Sequence, residues 1–190
     1  MSKRWFTSDW HLGSSTICDY CNRPFANVKE MNKTIIENCN SIVGKDDIII
    51  HLGDFCCYGS ERGYTGLKIH PNEYIRQING TFVNLLGNHD ITNKTKSIGT
   101  SLRMSLGKLF VDVSCSHYPS YDKRAYGSFQ VGDIHLHGHC HNGKIFTIDK
   151  QNKVLNVNVC CDLWNFMPIS EQHLIEMIHN FISKQNVKLI

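Results

Sequence analysis

Short apolar runs that each stop at a glycine or at a metal-seeking side chain recur along this chain, and that recurrence constrains the fold more than any bulk property. Thr81-Phe82-Val83-Asn84-Leu85-Leu86 reads as a buried strand that breaks at Gly87, and Asn88, His89 and Asp90 follow at once. Asp47-Ile48-Ile49-Ile50-His51-Leu52 repeats the pattern and breaks at Gly53-Asp54. Lys3 to Ser8 is a short strand running into Asp9-Trp10-His11. On an extended backbone residues i and i+2 share a face, so Asp9 and His11 can converge on one point. Lys108 to Ser116 ends at His117, and Phe129 to Leu136 ends in His137-Gly138-His139-Cys140-His141. Strand ends are where α/β proteins place their ligands.

Helical signals lie between these runs. Asn27-Val28-Lys29-Glu30 has the form of a capping box, and Val28, Met31, Ile35, Cys39 and Ile42 then recur at helical spacing until Gly44. Pro71 to Asn79 reads as a short helix. Ser170 caps a last amphipathic helix whose apolar face is Leu174, Met177, Ile178, Phe181 and Ile182. Lys144 to Asp149 and Val154 to Cys161 read as two more strands. Residues 12–26, 55–70 and 120–128 read as loops, and 91–107 as a polar, flexible stretch. The order strand, loop, helix, strand predicts an α/β layered fold.

At 190 residues the chain has the length of one domain, 1–190, and 41% apolar residues are enough to build a core. A net charge of +3 with scattered Lys and Arg gives no basic track, which argues against nucleic acid as the partner. No apolar run is long enough to span a membrane, and no signal peptide is evident. The nine cysteines show no framework spacing; they read as reduced thiols and point to a cytoplasmic location. Cys18-x-x-Cys21 lacks the second pair that a zinc knuckle needs and reads as coincidence.

Taken together, the strand ends collect Asp9, His11, Asp54, Asn88, His117, His139 and His141. This oxygen and nitrogen set suits two divalent transition metals, manganese, iron, zinc or nickel, rather than a thiolate-held structural zinc. Paired ions roughly 3.5–4 Å apart clamp the attacking and leaving oxygens of phosphoryl transfer. A shared carboxylate must hold two such cations together, and Asp54 lies between the two ligand groups in the sequence. Asp90 could orient a histidine or close its turn. Arg23, Lys123 and Arg124 are candidate contacts for substrate phosphate, with a solvated surface role as the plainer reading of each. His135 and His137 read as strand residues that support the ligands without binding metal.

Asp9-x-His11, Gly53-Asp54, Gly87-Asn88-His89-Asp90, His117 and Gly138-His139-x-His141 together resemble the calcineurin-like metallophosphoesterase superfamily, in its small single-domain prokaryotic and phage-type form. The resemblance implies a four-layer α/β/β/α sandwich with a di-metal site at the strand ends. It implies that Asp9, His11 and His141 hold the first metal. Asn88, His117 and His139 hold the second, and Asp54 bridges. A metal-bridging hydroxide would be the nucleophile, and His89 would donate a proton to the leaving oxygen. Asp54 is followed by Phe55-Cys56-Cys57-Tyr58 and not by the Asp-Arg pair of the protein-phosphatase branch, so protein phosphatase activity is not expected. The expected function is hydrolysis of a small phosphate ester, with a lean to phosphodiesterase action on a nucleotide-like substrate. A small-molecule phosphomonoesterase is the near alternative. A catalytically silent metal-binding scaffold is the distant one.

Overall fold

The computed structural model describes residues 2–59, 66–107 and 111–185. Two sheets face each other. The first has strand order β3-β2-β1-β9, from β1 (Arg4–Thr7), β2 (Ile48–His51), β3 (Thr81–Asn84) and β9 (Ile169–Ser170). The second has order β4-β5-β6-β8-β7, from β4 (Ser101–Leu106), β5 (Val111–Ser116), β6 (Ile134–His137), β7 (Phe146–Asp149) and β8 (Val154–Asn158). In the first sheet β1, β2 and β3 are parallel, and in the second β5, β6 and β8 are parallel. Ladder register explains the layering. Trp5, Ile49 and Phe82 pair in one row, and they pack against Met31, Ile35 and Cys39 of α2 (Val28–Ile42). The alternate row, Phe6 and Ile50, turns to the other face and meets Cys115, Leu136 and Val157 of the second sheet. Strands buried on both faces need no polar alternation, and Ile48-Ile49-Ile50 has none.

α2 starts as its sequence predicts: Asn27 Oδ1 accepts from the Lys29 and Glu30 amides, and Glu30 reaches back to the Ala26 amide. Tyr74 of α3 (Pro71–Ile75) joins the same core. α4 (Glu171–Gln185) contributes Leu174 and Ile178 to the core between the sheets, and Phe181 stacks on Phe146. The α/β sandwich expected from the sequence is therefore present. The outer face of the second sheet is covered by the segment from Tyr118 to Phe129, which carries a 3-10 turn at Lys123–Ala125.

Three local expectations change. Residues 91–107 are not flexible throughout, because β4 pairs antiparallel with β5 from Ser101↔Ser116 to Leu106↔Val111. Leu102, Met104 and Leu106 face the core while Ser101, Arg103 and Ser105 face out, so this is an edge strand with half its residues polar. The strand expected from Phe129 begins only at Ile134, since Gln130 to Asp133 form a turn. There the Asp133 carboxylate accepts from the Gln130 amide and pairs with Arg103. The loop at 12–26 contains a short helix, α1 (Thr16–Tyr20). Part of the strand expected from Lys108, and part of the loop expected at 55–70, lie outside the described residues. Among the described residues no helix is long and apolar enough to cross a membrane.

A candidate metal centre at the strand ends

Parallel pairing brings the C-terminal ends of β1, β2, β3, β5 and β6 to one edge of the two sheets. The residues just beyond them are the seven expected ligands. Ligand atoms of Asp9, His11 and Asp54 lie within 4.8 Å of one another, and so do those of Asp54, His117 and His139. Asp54 belongs to both groups. His141 joins from the Asp9 side, with Nε2 3.7 Å from Asp9 Oδ1. Asn88 joins from the other, with Oδ1 3.0 Å from His117 Nε2.

The backbone is bent to make this convergence. Asp9, His11, Asp54 and His139 all have φ between 48° and 66°, in the left-handed region. Asp, Asn and His tolerate that region best among residues with a side chain, and such outliers gather at sites where surrounding structure enforces them. Gly87 has a different reason to be glycine: a Cβ there would overlap Asp54 Oδ1.

Each buried carboxylate has one oxygen tied down and one aimed at imidazoles. Asp9 Oδ2 accepts from the His139 amide at 2.9 Å and from Ser8 Oγ. Its Oδ1 has no hydrogen-bond partner among the described residues, and neither has the buried His11 Nε2 beside it, 4.0 Å away. Asp54 Oδ1 accepts from the His89 amide at 2.8 Å, while Oδ2 lies 3.3 Å from His117 Nε2 and 3.7 Å from His11 Nε2. Ring tautomers are set from behind. His117 Nδ1 donates to the Leu52 carbonyl at 2.9 Å, and His141 Nδ1 faces Asp162 Oδ2 at 2.8 Å. That is how metal-binding imidazoles are usually oriented. The two orphaned buried polar atoms, both on the Asp9–His11 side, fit a divalent cation there amid oxygen and nitrogen donors.

Charge accounts for the titration behaviour. Burial would raise the Asp9 carboxyl, but the His117 and His141 cations outweigh it and hold it below the usual range. Asp54 is held low in the same way, burial opposing and His117 dominating. Burial opposes the His117 cation, yet the Asp54 carboxylate lifts its pKa to about 9. Burial drives His11 down to about 3 despite Asp54. Burial likewise opposes His141, but its hydrogen bond to Asp162 raises it to about 11.

Other expected residues fall into place around the cluster. The His89 ring sits over His11, centroids 5.2 Å apart. Asp90 closes its turn: its carboxylate accepts from the amides of Asp54, Phe55 and Gly87, tying the β2 loop to the β3 loop. Arg124 Nη2 lies 3.2 Å from His139 Nε2, with the guanidinium stacked 4.0 Å above the Tyr118 ring. Lys123 is exposed on the same turn. Arg23 is a correction. Its guanidinium is buried, paired with both Asp162 oxygens and donating to the carbonyls of Asp9 and Trp10. It has no donor left for substrate and is not a surface residue. His135 and His137 stack on each other, and His135 bonds Ser114, Ser116 and the Tyr118 carbonyl. Asp162, which sequence reasoning passed over, anchors both Arg23 and His141. It follows β8, so the same strand-end rule could have found it.

A cavity of about 440 Å³ opens beside Asn88, lined among others by Tyr118, Arg124, Tyr126 and Ser128.

The chain is 32% identical over 181 residues to the uncharacterised protein MJ1445 of Methanocaldococcus jannaschii, covering 94% of this chain and 92% of that one. It is 26% identical to the Gene 66 protein of Mycobacterium phage L5, covering 98% of this chain and 99% of that one. Its fold matches that of the protein of unknown function AQ665 from Aquifex aeolicus, with a TM-score of 0.71 at 21% identity, covering 93% of this chain and all of that one. The family model for calcineurin-like phosphoesterases matches residues 2–186, and the chain belongs to that family.

Proposed function

We propose that this protein is a di-metal phosphoesterase acting on a small, nucleotide-like phosphodiester. The observation that carries the reading is the sharing of Asp54 between the Asp9–His11–Asp54 and Asp54–His117–His139 groups. One carboxylate placed in two ligand groups is what a paired cation site requires. Asp9, His11 and His141 would hold one ion, and Asn88, His117 and His139 the other. Manganese is our first choice for both, because the carboxylate and amide oxygens suit it, and the imidazoles also admit iron, zinc or nickel. Two such cations supply a nucleophile at neutral pH and neutralise phosphate charge.

The chain's own residues supply the rest. The His117 and His141 rings are fixed through Nδ1, so only Nε2 faces the cluster. The His89 ring stands over His11 at the open side, in reach of a leaving oxygen that needs a proton. Arg124, whose Nε and Nη2 pair with Asp122, brings its guanidinium to the mouth with Nη1 to offer a phosphate, and the cavity beside Asn88 offers room and two tyrosine rings to an organic group. Of the three basic residues considered for phosphate, Arg23 is fully engaged elsewhere and only Arg124 approaches the ligands. A diester, with one anionic charge, suits that better than a dianionic monoester, which remains the second reading. The full ligand set and His89 speak against a silent scaffold. Nine cysteines with no framework spacing support a reducing, cytoplasmic setting.

The test is hydrolysis of bis-p-nitrophenyl phosphate and p-nitrophenyl phosphate with added manganese, followed by a cyclic and linear nucleotide panel. Asp54→Asn should be inactive and His89→Ala strongly slowed. A wild-type protein inert on every substrate with manganese, iron, zinc and nickel would sink the enzyme reading. Faster turnover of monoesters would replace diesterase by phosphatase.

A further inference from the structure

The thiols that sequence reading set aside gather behind His141. Cys18 and Cys21 point to different places. Cys18 Sγ meets Met31 Sδ at 3.5 Å, while the Cys21 thiol lies within 4.8 Å of ligand atoms of His141 and Asp162. Cys160, just after β8, approaches the same two side chains, with Sγ 3.6 Å from His141 Nδ1 and 3.3 Å from Asp162 Oδ2, and it also lies within 4.8 Å of a ligand atom of Asp9. Four donors, two of them sulfur, therefore surround the back of a ring whose front nitrogen faces Asp9.

We propose that Cys21, Cys160, Asp162 and His141 Nδ1 form a seat for a thiophilic divalent cation of the zinc and cadmium class, adjoining the strand-end cluster and joined to it through one imidazole. A tetrahedral ion with bonds of about 2.0–2.3 Å needs neighbouring ligand atoms roughly 3.3–3.8 Å apart. The Cys160–His141 and Cys160–Asp162 separations, 3.6 and 3.3 Å, lie in that range, and the His141 Nδ1–Asp162 Oδ2 pair, now hydrogen-bonded at 2.8 Å, has to open when the Nδ1 proton leaves. Sulfur selects such ions over manganese, whereas the oxygen and nitrogen donors of the front do not. Charge also balances: two thiolates and one carboxylate offset a divalent ion and the Arg23 guanidinium. Arg23 can keep its Nε bond to Asp162 Oδ1, 2.8 Å, while Oδ2 turns to the ion. Entry is from the Cys21 side, where the thiol is half-buried, since Cys160 is fully buried. Binding displaces the two thiol protons and the Nδ1 proton to solvent. Because both seats draw on His141, loading the rear one competes with the front for that ring.

The inference does not require the phosphoesterase reading, and its test keeps the two apart. The metal-free full chain is titrated with cadmium while the ultraviolet thiolate-to-metal charge-transfer band is followed. One equivalent per chain should saturate a two-thiolate band in wild type, in Asp54→Asn and in Cys18→Ser. Cys21→Ser should lose about half of it, and Cys21→Ser/Cys160→Ser all of it, with folding checked by circular dichroism. Cys21 is partly exposed, so its single variant serves as the test if Cys160→Ser fails to fold. No band in wild type, or an undiminished band in Cys21→Ser, overturns the proposal. An inactive phosphoesterase with the band intact would count only against the function proposed above.

Discussion

The outer faces of the two sheets are built on opposite principles. On the first, the row Trp5–Ile49–Phe82 lies under α2 in an apolar cluster. On the second, the corresponding row is Ser114–His135–Asn156, and all three residues are buried. These polar groups bond to the segment that follows His117. His135 and Ser116 bond the Tyr118 carbonyl, and Asn156 accepts from the Ser120 amide while donating to Ser120 Oγ, which in turn donates to Asp149. An apolar layer stabilises by area and tolerates small shifts. A satisfied polar layer fixes one arrangement, because each broken bond strands a buried group. The difference teaches a division of labour: the dry face supports the frame that holds Asp9 and Asp54, and the wet face pins the loop that carries Tyr118 and Arg124 to the mouth of the site.

That division can be broken experimentally, beginning with the largest effect. Asp54→Asn should abolish binding at both ion positions and cut activity by more than the 10–100-fold typical of supporting residues. His139→Ala should lose one position only. Metal analysis of the purified variants distinguishes them, and equal losses would mean that Asp54 is not shared. Next come the two faces. Ile49→Ala should cost about 2–5 kcal/mol in urea unfolding with the mouth intact. Asn156→Ala should cost about 1–3 kcal/mol and also raise KM, through loosening of the Ser120 segment. If Ile49→Ala shifts KM as much, the division fails. A third check is acid. Burial pushes His135 down to about 4. A histidine whose folded pKa lies below its unfolded value of about 6.5 stabilises fully above 6.5, and that stability is lost as pH falls toward 4. Stability should therefore decline over this window, by up to about 1.4 kcal/mol per pH unit from this group, and His135→Gln should flatten the decline. The smallest effect belongs to Arg124→Ala. An exposed charge contact is worth about 1 kcal/mol, so KM should rise about fivefold with kcat near wild type.

Much of this was legible in the sequence because strand-end ligands obey short-range rules. Gly53-Asp54 and Gly87-Asn88 mark the break after a buried strand, and parallel pairing does the rest of the convergence. The edge strand β4 was hidden because half its residues are polar and its partner is what makes it a strand. Arg23 was misread because its fate depends on Asp162, 139 positions away in sequence, whose pairing makes burial of a guanidinium tolerable. The rear thiols were missed for the same reason: Cys21 and Cys160 acquire meaning only when α1 and β8 meet behind His141.

The left-handed backbone at Asp9, His11, Asp54 and His139 limits how this centre can be re-engineered. Anyone seeking to change its metal preference by installing Cys or Glu would meet a conformational cost of roughly 1–2 kcal/mol at each of those four positions, before any coordination chemistry is counted. Asn88, His117 and His141 do not have that backbone, so they are the positions at which ligand type can be exchanged without that cost. Selectivity libraries built there should retain folded protein far more often than libraries built at the other four.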